Sequence, residues 1–135
     1  MINDEYMHPD GELVVRTLAM PGDANPKGDI FGGWVLSQMD IAGGLIAKQH
    51  AKGGRAVTVS IDGMSFKNPV KIGDMVSCYA KLIEHGRSSM KIKIETWTYC
   101  FDKEESKMVT NGIFTYVAID ENGKPCQIIK PIIAA

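Results

Sequence analysis

The spacing of apolar residues runs from alternation to a helical period and back to alternation, and that succession sets the expected architecture. Leu13-Val14-Val15-Arg16-Thr17-Leu18-Ala19-Met20 reads as a strand stopped by Pro21-Gly22. Turn-formers fill Asp23 to Asp29, and Ile30-Phe31-Gly32-Gly33 leads into a helical pattern from Trp34 to about Lys52. Within it Leu36, Met39, Gly43 and Ile46 make one ridge, with Trp34, Ile41 and Leu45 beside it. Gly53-Gly54 is the stop signal, and Lys48, His50 and Lys52 suit the negative end of the helix dipole.

Strands follow. Val57, Val59 and Ile61 alternate with Thr58, Ser60 and Asp62, and the apolar parity then flips to Met64 and Phe66. A flip at Asp62-Gly63 is what a β-bulge produces. After turns at Asn68-Pro69 and Gly73-Asp74, Val76, Cys78, Ala80 and Leu82 alternate up to the loop His85-Gly86-Arg87-Ser88-Ser89. Met90, Ile92, Ile94 and Thr96 come next, and after a polar turn Ile113, Thr115, Val117 and Ile119 close the series. Consecutive strands on short loops pair antiparallel, and a single helix can cover one face of their sheet. The expected class is α+β: one long central helix wrapped by an antiparallel sheet of about five strands. Residues 1–12 read as an N-terminal extension, 13–120 as the domain, and 121–135 as a short apolar tail suited to packing on a neighbouring subunit.

A chain of 135 residues is one domain of ordinary size and needs no metal or disulfide staple to fold. Fifteen Lys plus Arg against sixteen Asp plus Glu give a net charge of −1, which argues against a nucleic-acid partner. No apolar run approaches the ~20 residues of a membrane span, so no membrane partner is expected. Met1 to Tyr6 lacks the basic and apolar regions of a secretory signal, and the cytoplasm is the expected compartment. Cys78, Cys100 and Cys126, like His8, His50 and His85, are scattered without ligand spacing. They are expected as reduced thiols and ordinary histidines, with no metal site.

Candidate chemistry lies in Asn25-Pro26-Lys27-Gly28-Asp29-Ile30-Phe31-Gly32-Gly33 and the start of the helix. Its glycines fit neither a dinucleotide loop nor a Walker loop, since the spacing is G-x-x-x-G-G and no Gly-Lys-Ser/Thr follows. What remains is a helix start with bare glycines ahead of Trp34 and no Ser, Thr, Asp or Asn cap. Such an end offers oriented N–H donors and partial positive charge to an oxygen that approaches closely. One such donor on a developing oxyanion is worth ~2.7–4 kcal/mol. The plainer reading is a glycine loop that lets the helix pack tightly. Asp40 tips the balance: it is the lone acid between Asp29 and Asp62, lies mid-helix beside Leu36, Gly43 and Gly44, and stands about two turns from the glycines. A carboxylate there can act as general base on water or as a nucleophile toward an acyl carbon.

The block from Asp23 to Asp40 resembles the signature of the YciA-type acyl-CoA thioesterases of the hotdog fold. The resemblance continues through Val57-Thr58-Val59, Met64-Ser65-Phe66, Pro69 to Asp74 and Gly86-Arg87-Ser88-Ser89, and covers roughly residues 13 to 120. It implies hydrolysis of acyl-CoA to a free acid and CoA, with no cofactor beyond the CoA of the substrate itself. It also implies double-hotdog dimers, commonly assembled as trimers of dimers, with active sites between subunits. Residue by residue, Asp40 matches the family's catalytic carboxylate and Gly33 the backbone N–H that binds the thioester oxygen, with Gly32 beside it. Asn25 matches an Asn implicated in catalysis in related two-domain thioesterases. Arg87, Ser88 and Ser89 match a segment associated with CoA, and Lys67 is a weaker phosphate candidate. Set apart from the resemblance, the hairpin is equally an ordinary polar turn and Lys67 a surface lysine.

Two other functions fit the same scaffold. A hydratase or dehydratase pairs His with an acid, and no His accompanies Asp40 in the helix or the loop before it. A non-catalytic acyl-CoA-binding module has no need of a carboxylate near the thioester.

Overall fold

The computed structural model describes residues 8–129. Strand β1 (Glu12–Leu18) is followed by one 3-10 turn and helix α1 (Gly32–His50), then by β2 (Ala56–Asp62), β3 (Met75–His85), β4 (Ser89–Cys100) and β5 (Glu105–Ala118). All pairings are antiparallel, in the order β1-β3-β4-β5-β2. The meander β3-β4-β5 forms the centre, and the strands on either side of α1 in sequence take opposite edges. The chain must therefore cross the sheet between β1 and β2, and α1 does so against its inner face. One helix and five antiparallel strands are the expected α+β layout.

Met39, Ala42 and Ile46 of α1 pack with Val76 and Cys78 of β3, Ile92 and Ile94 of β4 and Phe114 of β5. Inward positions in β3 and β4 are those that the alternation predicts. In β5 the parity is opposite to the expected one. Gly112, Phe114, Tyr116 and Ala118 are buried, while Ile113, Thr115 and Val117 lie half-exposed on the outer side. Pairing of Ile92 with Phe114 and Ile94 with Gly112 sets this register, which apolar residues on both sides of β5 left ambiguous.

The helix also turns differently from the expected ridge. Val35, Ala42 and Ala47 join Met39, Gly43 and Ile46 against the sheet, whereas Leu36 is half-buried and Ile41 (51% exposed) and Leu45 face outward. Small residues bring the helix close to the strands, and the larger apolar ones flank the contact. Val57 and Val59 (54% exposed) of edge strand β2 are likewise uncovered. The bulge of β2 falls between Thr58 and Ser60 rather than at Asp62-Gly63, where the strand ends and Gly63 takes a φ of +72°. Thr58 pairs with Tyr116 and Ile61 with Phe114, so both face the helix although they are three residues apart.

The described part of the tail, up to Ile129, is tied to its own chain at a few points. Ile128 is buried against the residue after the helix, Ala51, and the Ile129 N–H donates to His50 O at 2.6 Å. This satisfies a carbonyl that the end of α1 would leave bare. Residues 130–135 of the tail lie outside the described part. Cys78, Cys100 and Cys126 are free thiols. Burial raises the Cys78 thiol pKa, which removes it as a nucleophile. Among the described residues no helix is long and apolar enough to cross a membrane, and no cluster of His, Cys, Asp or Glu could hold a metal ion.

On the outer face of the sheet, Glu95 is 4% exposed. Its Oε1 accepts the Trp97 indole N–H at 2.9 Å and the Asp10 N–H at 3.1 Å, while Oε2 pairs with Lys93 at 3.3 Å. Lys93 also reaches Asp10, so the residues before β1 are pinned to the sheet through one buried carboxylate. Glu95→Ala strands the Trp97 indole N–H and the Asp10 N–H and should lower unfolding free energy by about 1–3 kcal/mol in urea denaturation. Glu95→Gln, which keeps one acceptor, should lose less.

Candidate active site

Helix α1 begins at Gly32, so the two glycines form its first turn rather than preceding it. Phe31 is the N-cap, in extended conformation and without a capping side chain. The N–H groups of Trp34 and Val35 turn back to Phe31 O at 3.0 and 3.3 Å. Those of Gly32 and Gly33 meet no acceptor among the described residues, as expected for an uncapped end. A Cβ at Gly33 would meet open space, and the Phe66 ring lies over Gly32. Gly32, Ile30, Val35, Phe66, Lys67 and Val70 help to line a cavity of about 330 Å³ at this end. The lining is mostly apolar, and Lys67 is the charged residue on it.

Asn25 closes the loop ahead of the helix. Its Oδ1 accepts the N–H groups of Lys27 and Asp29 at 2.9 and 3.1 Å, while its Nδ2 has no acceptor among the described residues. An Asp29–Lys71 ion pair and the Ile30 N–H to Val70 O bond tie this loop to the β2–β3 connection. The side-chain amide of Asn25 makes no contact with Asp40 in its own chain.

Asp40 lies seven residues beyond Gly33 on nearly the same side of α1, about 10 Å further along the axis. It is half-buried. Thr58 Oγ1 donates to its Oδ1 at 2.6 Å and Tyr116 OH to the same oxygen at 2.9 Å. The tyrosine also reaches the Asp40 carbonyl oxygen at 3.2 Å. Since Thr58 and Tyr116 are paired across β2 and β5, the sheet presents two hydroxyls side by side to one oxygen. The other, Oδ2, receives no donor among the described residues. A cavity of about 260 Å³ opens beside the residue, lined by Asp40, Ile41, Gly44, Leu45, Lys48, Ala56, Thr58 and Tyr116. A carboxylate held by one oxygen and open at the other suits proton abstraction or nucleophilic attack.

Gly43 makes this clamp possible. A Cβ there would overlap the Tyr116 hydroxyl and stand 2.6 Å from Ile94 Cδ1. Burial first, and then the bonded Asp40 carboxylate, push the Tyr116 pKa upward, so the hydroxyl stays a donor. Sequence reading found Asp40 and missed Thr58 and Tyr116. The signal available was their inward parity in two strands that pair, which a single chain does not announce.

The remaining candidates separate toward the ends of the helix. Lys67 lines the cavity at the glycine end. Gly86, Arg87, Ser88 and Ser89 form the β3–β4 turn, closed by Gly86 N–H to Ser89 O at 2.9 Å. Arg87 O accepts the N–H of Ile128, which bridges to Ala51, so this turn sits at the far end of α1. Its distance from the glycines of the same chain is on the order of the helix length, about 28 Å. One chain therefore does not gather Gly33, Asn25, Asp40 and Arg87 into one pocket.

Two stability measurements test the clamp. Gly43→Ala should cost about 1–3 kcal/mol through overpacking, seen as an earlier denaturant midpoint. An ordinary tyrosine ionises near 10.0, and folding raises Tyr116 above that. Above pH 10 the unfolded chain thus binds fewer protons than the folded one, and stability falls as pH rises. Tyr116→Phe should flatten that decline in urea titrations between about pH 9 and 11.5.

Comparison with known proteins places this arrangement. The sequence profile of the thioesterase superfamily matches residues 27–99, from the loop before α1 to the end of β4. The acyl-CoA thioester hydrolase YciA of Salmonella typhimurium is 51% identical over 120 residues, 87% of this chain and 90% of that protein. A hexameric broad-specificity acyl-coenzyme A thioesterase superposes with a TM-score of 0.86 at 45% identity, covering 93% of this chain and 86% of that one. A hexameric hotdog-fold thioesterase of Campylobacter jejuni does so with a TM-score of 0.80 at 40% identity, covering 87% and 90%. A helix opened by two glycines, carrying one clamped acid and wrapped by five antiparallel strands in the hotdog fold, thus has its family: the chain belongs to the thioesterase superfamily.

Proposed function

We infer that this chain hydrolyses acyl-CoA thioesters to a carboxylic acid and CoA, at a site built from two copies of itself. The observation that carries the reading is the Asp40 carboxylate, fixed through Oδ1 by Thr58 and Tyr116, with no donor on Oδ2 among the described residues and a cavity beside the residue. It acts on the acyl carbon directly or through a water from which it takes a proton. Attack pushes charge onto the carbonyl oxygen, and the Gly33 N–H, with Gly32 beside it, is the oriented donor for that charge. The tetrahedral intermediate collapses by expelling the CoA thiolate, which takes up a proton. On the direct route water then hydrolyses the acyl–Asp40 anhydride to the free acid and restores the carboxylate, and no cofactor enters either route.

Geometry supports the two-chain site. A carbonyl carbon and its oxygen are about 1.2 Å apart, yet Gly33 and Asp40 of one helix are separated by about 10 Å. A two-fold axis that sets two α1 helices antiparallel brings each Gly33 toward the partner's carboxylate, because such a contact is self-complementary. Ile41, Leu45, Val57 and Val59 offer the uncovered apolar surface for it. The same pairing turns the Arg87-Ser88-Ser89 end of one chain toward the glycine and Lys67 end of the other, where phosphates of CoA would find planar, hydroxyl and ammonium donors. Asn25 Nδ2, free of its own loop, is available to the shared site. Association of such dimers into a trimer of dimers accords with the hexameric relatives.

Asp40→Asn retains an acceptor for both hydroxyls, so melting temperature and CoA binding should hold while thiol release falls by about 10²–10⁴-fold. Near wild-type turnover in this variant would remove Asp40 from the mechanism. Co-expressing Asp40→Asn chains with Asn25→Ala chains should restore part of the activity, since a mixed dimer keeps one intact site. Binding of acyl-CoA without thiol release would identify a binding module, and hydration of an enoyl-CoA a hydratase.

A further inference from the structure

Asp40, Gly44 and Lys48 stand at i, i+4 and i+8, one above another on α1, and all three line the same cavity. The row presents an acid, a gap and a cation. Helical side chains lean toward the N-terminus, a direction that lets a Lys48 stem run back over Gly44 toward the acid, and Lys48 lines the cavity that Asp40 lines. Lys48 and Asp40 are too far apart to pair, and Lys48 forms no ion pair among the described residues. A lysine near the end of a helix is favoured by the dipole alone. That does not explain the glycine. Packing in this chain does not require Gly44, since a Cβ there would meet nothing closer than Tyr116 Cε2 at 4.0 Å. Gly43, one residue earlier, is required. The gap is thus open space, walled by Ile41, Leu45 and Ala56 and ended by an ammonium.

We propose that this groove takes the acyl part of the substrate, and that Lys48 selects chains of four to six carbons ending in a second carboxylate, the monothioesters of dicarboxylic acids. The proposal rests on the thioesterase reading and specifies its substrate class. Along the helix the Cα atoms of Asp40 and Lys48 are about 12 Å apart, and the backward lean of the lysine shortens the gap between their charged ends. In a five-carbon diacid the free carboxylate lies roughly 6 Å from the thioester carbon, which suits that interval. A CoA phosphate does not suit it. Roughly thirteen single bonds separate it from the sulfur, about 16 Å when extended, and carry it past Lys48. The apolar walls take the methylenes, and the ammonium offsets the repulsion that a terminal carboxylate would otherwise feel from Asp40.

Glutaryl-CoA and valeryl-CoA, equal in carbon number and different in end group, test this in one thiol-release assay. Wild-type protein should hydrolyse glutaryl-CoA with a kcat/KM at least equal to that for valeryl-CoA. Lys48→Met should lower the glutaryl-CoA value by about tenfold, the scale of one charged hydrogen bond, and leave valeryl-CoA within about twofold. Lys48→Glu should lower it further. Equal losses on both substrates would assign Lys48 to CoA and overturn the proposal, as would an unchanged ratio or a wild type that rejects glutaryl-CoA while hydrolysing valeryl-CoA. If the wild type cleaves neither thioester, the thioesterase reading itself falls.

Discussion

The hydrogen bonds from Thr58 and Tyr116 to one oxygen of Asp40 organise this molecule's chemistry. A carboxylate in the middle of a helix that packs on a sheet is costly unless its charge is met by donors. Here two hydroxyls meet one oxygen, and a cavity lies beside the residue. The pair comes from opposite positions on β2 and β5, so the clamp exists only when β2 has added to the edge of the meander. Its space comes from Gly43. The same acid that the fold must stabilise is therefore the acid it leaves half uncovered.

Helix geometry imposes the second constraint. The uncapped glycine end and the acid share a helix, and a rigid helix holds them apart. In the proposed reaction one chain offers the two halves of the acyl-transfer site at different heights, with the hairpin of Arg87 at one end and Lys67 near the other. Such an arrangement makes chemical sense in a pair of chains running in opposite directions. The apolar residues that face outward from α1 and β2 would give the proposed pairing a physical cause. They are also the residues whose burial within one chain the apolar pattern overstates.

Strand parity shows where a single sequence runs short. In β3 and β4 the apolar residues alternate cleanly and the inward face follows. In β5 both faces carry apolar residues, and only pairing with β4 selects Phe114 and Tyr116 for the interior. In β2 the bulge between Thr58 and Ser60 turns Thr58 toward the helix, and the parity change seen further along marks the end of the strand instead. The tail shows the same limit, since no local pattern announces that the Ile129 N–H meets the carbonyl of His50 at the end of the helix.

Local signals fixed the α+β class, the succession of strand, helix and strands, the uncapped glycines and the isolated acid of the helix. Each rests on residues a few positions apart, where periodicity and propensity act. Which groups hold that acid was decided by tertiary structure alone. Thr58 and Tyr116 are 18 and 76 residues from Asp40, and they reach one oxygen only because strand register and the missing side chain of Gly43 bring them there. Contacts between distant segments depend on register and volume, which no short stretch of sequence contains.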